Sequence, residues 1–325
     1  MKYTRLGRSG LEVSRFTLGC MSFGDPARGA HSWTIPIDEV RAVVHAALDA
    51  GVTVFDTANL YSNGSSEEIM GALLREAGAR DDIILASKVW ARMAPGPKGG
   101  GLSRGAILQQ ADASLRRLKT DYIDLYQIHR FDPDVPVEET MEALHDLVRI
   151  GKVRYIGASS MFAWQFAKMQ HAAELNGWTP FVSMQDQYNL LMREEEREMH
   201  PLCRDSGVGV MAWSPLARGR LAIAWGDTTS RIETDAYGAT LYTQDQHSNR
   251  AIIEAVGRIA AQRGASRAQI ALAWALSKPV VSTAILGPTQ VGQLSDSLAA
   301  LDLLLSDEET ASLEGPYTAR HIPPF

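Results

Sequence analysis

Four residues with acid–base capacity stand where short apolar segments end in the first half of the chain. Asp56 ends a β-branched run, Tyr61 follows five residues later, and Lys88 and His129 end the next two apolar runs. A lysine ammonium beside a phenol stabilises the phenolate, and it lowers a phenol pKa that is otherwise about 10. A carboxylate would keep that lysine protonated, and an imidazole could hydrogen-bond a substrate oxygen. This set of groups is suited to protonating a carbonyl oxygen as negative charge develops on it.

Each of these residues alone also has a structural explanation. A single Asp or Lys at a strand end is more often part of a structural ion pair, and a Tyr in a turn usually packs its ring and leaves its hydroxyl in water. The chemistry therefore depends on whether the fold brings Asp56, Tyr61, Lys88 and His129 together.

The segments that carry these residues belong to a regular alternation. Residues 1–15 predict a β-hairpin, and eight apolar runs follow, each succeeded by apolar residues at helical spacing. The runs are residues 16–19, 52–56, 83–88, 122–129, 154–158, 181–185, 208–213 and 280–286. Near-continuous apolar runs are typical of parallel strands that are buried on both faces. The pattern predicts an α/β fold, a (β/α)8 or TIM barrel, with an N-terminal hairpin and a long loop at 216–248 after strand 7.

We predict a single domain, 1–325, because the 216–248 loop lies between strand 7 and its helices and no other segment suggests a boundary. A doubly wound open sheet is the alternative. That fold usually carries a glycine-rich turn after its first strand, and the sequence has no G-x-G-x-x-G or P-loop pattern. In a barrel the C-terminal strand ends form the active site. We therefore expect Asp56, Lys88 and His129 to converge, with Tyr61 over the same mouth.

Some local expectations concern the starts of helices. Ser65 or Ser66 is expected to cap the helix after Tyr61, and Ser103 the helix that follows the glycine-rich loop 95–101. The acidic run 193–198 is expected to be the solvated start of a helix over 194–206, since acidic residues favour a helix N-terminus.

Composition narrows the class of protein. The chain has 325 residues and a formal net charge of −6, with acids and bases interspersed, which argues against a nucleic-acid surface. Two distant cysteines, Cys20 and Cys203, give no disulfide framework and no metal-ligand spacing. The N-terminus has no apolar signal core, and no run reaches membrane-spanning length. We expect a cytoplasmic enzyme with no membrane or nucleic-acid partner; the oligomeric state is not indicated.

The motif Phe55-Asp-Thr-Ala58, taken with Tyr61, Lys88 and His129, resembles the catalytic tetrad of the aldo-keto reductase family, and the similarity covers nearly the whole chain. The resemblance implies reversible hydride transfer from NADPH to an aldehyde or ketone, without a metal. It implies Tyr61 as the general acid, Lys88 and Asp56 as the pair that tunes it, and His129 as a donor that orients the substrate.

Other segments resemble the bacterial YajO-like branch of that family most closely. They are His31-Ser-Trp-Thr, Ile156-Gly-Ala-Ser-Ser, Met184-Gln185 and Trp213-Ser-Pro-Leu-Ala-Arg-Gly-Arg220.

The resemblance also implies a cofactor site. Ser159 and Gln185 match the residues that bind the nicotinamide amide, Trp213 matches the aromatic ring that stacks on the nicotinamide, and Ser160 stands where the family usually has Asn. Residues 214–220 would cover the pyrophosphate, and residues 287–296 would hold the adenosine half. The other implied contacts are Cys20, Met21, Asp56, Ser214, Pro215, Leu216, Arg218, Gly219, Arg220, Gly287, Thr289, Gln293 and Asp296.

The choice between the two nicotinamide cofactors rests on the adenosine segment. Many relatives carry Lys or Arg there for the 2′-phosphate, whereas Gly287 and Gln293 occupy those places here. We expect NADPH, with NADH as the alternative and Arg231 of the long loop as a substitute cation.

Three aromatic residues in loops after strands one, three and four are candidate walls of an apolar substrate pocket: Trp33, Trp90 and Phe131. Packing against the core or the surface is the alternative for each. The sequence does not decide whether the 95–101 and 216–248 loops close over the cofactor.

Two other functions stay open. The chain could be a non-enzymatic nicotinamide-binding subunit that senses redox state. It could also be a sugar-phosphate enzyme, since the YajO-like branch is linked to formation of 1-deoxyxylulose 5-phosphate and barrels host many such reactions. Arg92, Arg130 and Arg218 could then meet a substrate phosphate.

Overall fold

The structure is a computed structural model that describes residues 1–29, 31, 33–96 and 98–322. It begins with an antiparallel pair, β1 (Tyr3–Arg5) and β2 (Glu12–Ser14). The next strands are β3 (Phe16–Gly19), β4 (Val54–Asp56), β5 (Ile84–Val89), β6 (Ile123–Ile128), β7 (Val153–Ser159), β8 (Ser183–Gln187), β9 (Gly209–Trp213) and β10 (Val281–Leu286). Strands β3 to β10 pair in parallel in chain order, and β10 pairs with β3 to close a barrel. The predicted (β/α)8 barrel and its N-terminal hairpin are confirmed.

Helices surround the barrel. They are α1 (Ile37–Asp49), α2 (Ser65–Glu76), α3 (Arg104–Leu118), α4 (Val137–Arg149), α5 (Ala163–Asn176), α6 (Met199–Ser206), α7 (Ser230–Thr234), α8 (Ala236–Leu241), α9 (Gln246–Arg263), α10 (Arg267–Ser277), α11 (Val291–Leu298) and α12 (Asp307–Glu314). Apolar side chains at helical spacing face the strands, as Val40, Val43, Val44 and Ala47 do in α1. The capping prediction for Ser103 is confirmed, since its side chain accepts from the Ala106 N–H. Helix α12, which Ser306 caps, is absent from the sequence prediction.

The hairpin closes the N-terminal end of the barrel. Leu6 and Val13 join a buried apolar cluster inside it, together with residues from β4, β5, β6, β9 and β10. Gly7 lies so close to the chain that an added Cβ would be 2.3 Å from the Gly207 carbonyl oxygen, and the Arg8 N–H donates to that oxygen over 2.7 Å. This end is packed with apolar groups, so the opposite, C-terminal end is left for polar chemistry.

The capping prediction for Ser65 and Ser66 is wrong. The N-cap of α2 is Gly64, whose φ of 87° suits glycine. Ser65 Oγ instead accepts from the Asp25 N–H over 2.7 Å, and Ser66 Oγ donates to the Cys20 carbonyl oxygen over 2.8 Å. These hydroxyls tie α2 to the loop after β3, which is a tertiary role that a local capping pattern does not reveal.

The acidic run 193–198 also differs from its prediction. Glu194–Glu196 forms a 3-10 turn and the α-helix begins only at Met199. Glu194 and Glu195 are buried rather than solvated. Glu194 Oε1 accepts from the Tyr317 hydroxyl over 2.8 Å and from the Arg320 N–H over 2.7 Å. The C-terminal segment therefore covers Glu194.

The long segment after β9 is present but contains structure of its own. A 3-10 stretch, Ala217–Ala222, precedes the short helices α7 and α8, and α9 begins within the predicted loop, at Gln246. Within the described part of the chain, none of the helices is both long and apolar enough to cross a membrane. The single domain 1–325 stays a prediction.

The burial of Glu195 gives a test by pH. Burial raises the pKa of Glu195 to about 9, and the charges of Asp186 and Glu194 act in the same direction. The folded state therefore keeps a proton that the unfolded chain loses near its ordinary pKa of about 4.5. Because the folded state binds more protons between those two values, stability falls as pH rises from about 4.5 to about 9.

Glu195→Gln should make that fall shallower, since the amide carries no proton to lose. Urea unfolding at several pH values between about 5 and 9 measures the slope. Glu174→Gln on α5, where the side chain is 84% exposed, is the matched control and should leave the slope unchanged. An identical slope in Glu195→Gln and the unaltered chain would contradict the interpretation.

Candidate active site

The C-terminal ends of three neighbouring strands meet on one rim of the barrel. Asp56 ends β4, Lys88 is near the end of β5, and His129 follows β6; β5 pairs in parallel with both neighbours. Tyr61 opens the 3-10 turn Tyr61–Gly64 after β4, and its ring centroid lies 5.8 Å from that of His129. The structure brings all four predicted residues together.

Lys88 is the centre of this group. Its Nζ donates to Asp56 Oδ2 over 2.5 Å, to the Thr57 carbonyl oxygen over 3.0 Å and to Tyr61 Oη over 3.2 Å. The Lys88 side chain is 0% exposed and that of Asp56 is 3% exposed. The three hydrogen bonds use every donor of the ammonium group. The cation therefore lies between a carboxylate and a phenol, out of contact with water.

The electrostatics differ in part from the expectation. Burial raises the pKa of Tyr61, and the attraction of Lys88 opposes this shift without reversing it. Burial lowers the pKa of Lys88, but the charge of Asp56 and the contact with Tyr61 outweigh it, so the net direction is upward. The phenol therefore keeps its proton beside a permanent ammonium. The expected lowering of the Tyr61 pKa by Lys88 is present, but burial of the phenol outweighs it, so the net direction is upward.

His129 is held as a neutral imidazole. Burial lowers its pKa well below the ordinary value, and the positive charges of Lys88 and Arg130 lower it further. Its backbone N–H donates to the Val89 carbonyl oxygen over 2.8 Å. Its Nδ1 is buried and meets no hydrogen-bond partner among the residues described. A neutral ring with a free nitrogen can hydrogen-bond a substrate oxygen without adding charge.

Two glutamine amides complete the surroundings of Asp56. Gln127 Nε2 and Gln185 Nε2 each donate to Asp56 Oδ1 over 3.0 Å, and Gln185 Nε2 also lies 3.3 Å from Gln127 Oε1. Sequence reasoning chose Gln185 for cofactor binding and missed Gln127. The available signal was a polar residue inside an apolar strand, two positions before His129, a spacing that places two side chains on the same side of an extended chain.

The residues predicted to hold the nicotinamide lie together on the next strands. Ser159 ends β7, and its Oγ is 3.2 Å from Ser160 Oγ. Ser160 Oγ accepts from Trp213 Nε1 over 3.1 Å, and the Ser160 N–H donates to the Gln185 carbonyl oxygen over 3.0 Å. The indole ring at the end of β9 is therefore fixed by the serine that replaces the usual Asn.

The predicted pyrophosphate segment, residues 214–220, turns tightly after β9. Ser214, Ala217, Arg218 and Gly219 all have positive φ, from 49° to 96°. The Arg218 N–H donates to Ser214 Oγ over 3.1 Å, and the Arg218 side chain forms an ion pair with Asp235. Arg218 Nε is buried and has no partner in the described ranges.

The other residues of the predicted pyrophosphate segment differ in their burial and in their contacts. Pro215 is buried, Leu216 packs against the core, and the Arg220 guanidinium carbon lies 5.1 Å from the Tyr242 ring centroid.

In the predicted adenosine segment, Gln293 contacts the segment itself, whereas Asp296 contacts the neighbouring helix α10. Gln293 Oε1 accepts from the Thr289 N–H over 2.9 Å at the start of α11. Asp296 accepts from Ser266 Oγ and from Gln269 Nε2, each over 2.7 Å. Its carboxylate is therefore engaged at the N-terminus of α10.

The turn after β3 lies beside the end of β10. A Cβ added to Gly287 would be 3.9 Å from the Gly19 carbonyl oxygen and from Ser22 Oγ. Cys20 and Met21 belong to this turn, with Cys20 buried and Met21 partly exposed.

The three aromatic residues predicted to line a substrate pocket each contact a different part of the structure. Trp33 packs against the His31 ring at 4.5 Å between centroids, and the Arg231 guanidinium carbon lies 3.6 Å from the centroid of the Trp33 ring. The Trp90 carbonyl oxygen accepts from the Gly101 N–H over 2.7 Å, which ties it to the end of the 95–101 loop. Phe131, two residues after His129, meets Trp164 edge-on with 6.1 Å between ring centroids. Sequence reasoning did not select Trp164.

Arg231 joins the loop after β9 to the loop after β3. It lies against Trp33, and its Nε is 3.5 Å from the Asp235 carboxylate that also binds Arg218. Burial and the charge of Arg218 lower the pKa of Arg231 to about 10. Across the described residues, no group of three or more His, Cys, Asp or Glu side chains is arranged to hold a metal ion.

Fold and site together define a (β/α)8 barrel with a buried acid–base group at the C-terminal ends of its strands. The model of the Aldo/keto reductase family matches residues 15–317. The chain belongs to this family, whose members generally use nicotinamide cofactors and act on small-molecule carbonyl substrates.

Several relatives are similar over nearly their whole length. An aldo-keto reductase of Alternaria alternata is 45% identical over 98% of this chain and 92% of its own length. The versiconal hemiacetal acetate reductase of Aspergillus parasiticus is 42% identical over 100% and 99%. A putative aryl-alcohol dehydrogenase of Schizosaccharomyces pombe is 42% identical over 97% and 95%. These relatives are fungal, and they do not support the similarity to the bacterial YajO-like branch.

The ion pair at the centre of the site can be tested by stability alone. Lys88→Met should lower the free energy of unfolding by about 3–5 kcal/mol, because it leaves the Asp56 carboxylate buried without its counter-ion. The double variant Asp56→Asn, Lys88→Met should recover much of that loss. Urea unfolding followed by circular dichroism gives both values. Lys168→Met, at an exposed position of α5, is the control. A Lys88→Met protein as stable as the control would argue against a coupled buried pair.

Proposed function

We propose that this protein is an NADPH-dependent reductase of aldehydes or ketones that works reversibly as an alcohol dehydrogenase. The observation that carries the proposal is the Lys88 ammonium between Asp56 Oδ2 at 2.5 Å and Tyr61 Oη at 3.2 Å. No simple structural need explains a phenol placed against a buried lysine–carboxylate pair at the mouth of a barrel. Proton donation to a carbonyl oxygen does explain it.

The cofactor would supply the hydride, and residues of β7, β8 and β9 fit its nicotinamide. Ser159 at the end of β7 and Gln185 beside it on β8 offer a hydroxyl and an amide, and Trp213 offers a ring that Ser160 holds in place over 3.1 Å. Arg218 Nε, buried and without a partner in the part of the chain described, suits an anionic pyrophosphate. The fit therefore rests on groups that are already in position.

Tyr61 would act as the general acid. Because burial raises its pKa, the phenol is protonated when the carbonyl arrives. As negative charge develops on the substrate oxygen, the proton moves from Tyr61 Oη to that oxygen, and the charge passes to the phenolate. The phenolate then lies 3.2 Å from the Lys88 ammonium, which Asp56 keeps in place. Neutral His129 would donate a hydrogen bond that orients the same oxygen.

NADPH is proposed over NADH from the charges near the cofactor segments. Arg218 and Arg231 share one carboxylate, Asp235, so two cations face one anion. The excess positive charge would suit the additional phosphate of NADPH, although Gly287 and Gln293 offer no cation of their own.

Aromatic aldehydes are the proposed substrates. The names of two relatives, an aryl-alcohol dehydrogenase and a versiconal hemiacetal acetate reductase, suggest the reduction of sizeable organic carbonyls. In this chain Phe131 lies two residues beyond His129, within about 7 Å along the backbone. Its edge-on contact with Trp164 places a second aromatic ring beside it. A ring attached to the carbonyl carbon could lie along these two side chains.

Tyr61→Phe tests the role of the phenol. Without the hydroxyl there is no acid at this position, so reduction of benzaldehyde by NADPH should fall by a factor of about 100 or more. NADPH affinity, followed by quenching of protein fluorescence, should stay within about threefold, since the phenol is not a proposed cofactor contact. Parallel assays with NADH report the cofactor preference. A Tyr61→Phe protein that keeps most of its rate would place the acid elsewhere.

Trp164→Ala tests the proposed aromatic surface. Loss of this ring should raise KM for 2-naphthaldehyde about five- to tenfold, the size expected for a lost aromatic contact. KM for propanal should be unchanged, because a short aliphatic aldehyde does not reach the surface. Leu175→Ala is a matched control: this residue is 71% exposed near the other end of α5, where Trp164 is 61% exposed. Equal changes for both aldehydes would rule out a role in substrate selection.

A further inference from the structure

We propose that Gln127 is a positioning residue of the active site, which fixes the Asp56 carboxylate and links it to Gln185. The inference deepens the proposed function and rests on it, since Gln127 would act through the acid–base group and touches neither substrate nor cofactor. Nothing in the sequence pattern or the family resemblance assigns Gln127 a role.

The hydrogen bonds around Asp56 show why a second amide is needed. Oδ2 accepts from the Lys88 ammonium, and Oδ1 accepts from both Gln127 Nε2 and Gln185 Nε2. Asp56, Gln127 and Gln185 are all buried, so water does not substitute for either amide donor. Loss of Gln127 would leave Oδ1 with the Gln185 donor alone, and a buried carboxylate oxygen with fewer donors is less well stabilised. Gln127 therefore holds the carboxylate in the rotation that points Oδ2 at Lys88.

The neighbouring strands make room for this amide. Gln127 is paired with Lys88 on one side and with Gly157 on the other. A Cβ added to Gly157 would be 3.2 Å from Gln127 Cγ and 2.2 Å from Ser183 Oγ. The glycine on β7 thus leaves the space in which a long side chain on β6 can reach across to Asp56 on β4. The space beside Gly157 therefore allows the polar Gln127 side chain to pack inside the barrel and to reach the Asp56 carboxylate.

The orientation of the amide is fixed by its two partners. Gln127 presents its nitrogen to Asp56 Oδ1 at 3.0 Å and its oxygen to Gln185 Nε2 at 3.3 Å. The reverse orientation would set its oxygen against the carboxylate and its nitrogen against another nitrogen. Gln185, placed at the nicotinamide by the proposed function, is thus connected to Asp56 directly and through Gln127. A shift of Gln185 on cofactor binding would reach the carboxylate by both routes.

Loss of Gln127 is expected to change the acid strength of Tyr61. With two amide donors, the negative charge of Asp56 is partly balanced on Oδ1, and Lys88 is free to stabilise a Tyr61 phenolate. Without Gln127, the less balanced carboxylate acts more strongly against that phenolate, which makes the phenol a weaker acid. The reduction rate should fall, and the alkaline limb of its pH profile should move to higher pH. The binding of aldehyde and cofactor should change little.

The experiment compares Gln127→Leu, Gln127→Glu and the control Gln170→Leu in benzaldehyde reduction by NADPH across a pH series. Gln170 is also a glutamine with two side-chain hydrogen bonds, but both go to the Phe181 backbone and not to the site. Gln127→Leu should lower kcat about tenfold, as expected for one lost hydrogen bond to a charged group. KM and the NADPH dissociation constant should stay within about threefold.

Gln127→Glu separates positioning from packing, since the side chain keeps its shape. A neutral carboxyl can still donate to Asp56, whereas a charged one repels it. Its kcat, taken relative to wild type, should therefore recover as pH falls. This variant also keeps the test valid if Gln127→Leu does not fold. Gln170→Leu should leave the profile in place.

The results of this experiment distinguish a failure of the role of Gln127 from a failure of the proposed function. A folded Gln127→Leu protein with wild-type kcat and an unmoved alkaline limb overturns the role of Gln127. A Gln127→Glu protein that is impaired at neutral pH and shows no recovery at low pH overturns it too. Wild-type protein that reduces no carbonyl with either nicotinamide cofactor overturns the proposed function instead, and this inference with it.

Discussion

The site depends on one buried ion pair. Lys88 and Asp56 are removed from water, and burial of two charges is favourable only where every remaining donor and acceptor finds a partner. The barrel supplies these partners from several strands: the Thr57 carbonyl and Tyr61 hydroxyl for the ammonium, and two glutamine amides for the carboxylate. The ion pair and its hydrogen-bond partners therefore depend on one another. Catalysis by Tyr61 would use one member of a network that the buried pair already needs for its stability.

The two ends of the barrel are held by different kinds of contact. The N-terminal end is closed by the hairpin, whose Leu6 and Val13 complete an apolar cluster, and Gly7 permits the close approach to Gly207. At the other end the loops after β3 and β9 meet through Trp33, Arg231 and Asp235. Apolar packing at one end offsets the cost of a polar layer near the other.

The sequence predicted the barrel and its four central residues because both depend on local patterns. Apolar runs mark parallel strands, and Asp56, Lys88 and His129 each stand at the end of one. Gln127 was missed because a single polar residue inside a strand has many explanations, and its partner Asp56 is 71 residues away. The burial of Glu194 was missed for the same reason, since Tyr317 lies 123 residues further along the chain. Ser65 was misassigned as a cap because a hydroxyl near a helix start can serve a neighbouring loop equally well.

The direction of the Tyr61 pKa shows what no sequence pattern could supply. Residue types indicate that a lysine stands beside a phenol, and this predicts a lowered pKa in water. The structure adds burial, which acts on the phenolate more strongly than the lysine does. The same low-polarity surroundings strengthen the attraction between Lys88 and a phenolate once it forms. The partly buried phenol therefore rests with its proton in place, and the ammonium has its largest effect when negative charge appears, which is the condition that a proton donor to a carbonyl oxygen requires.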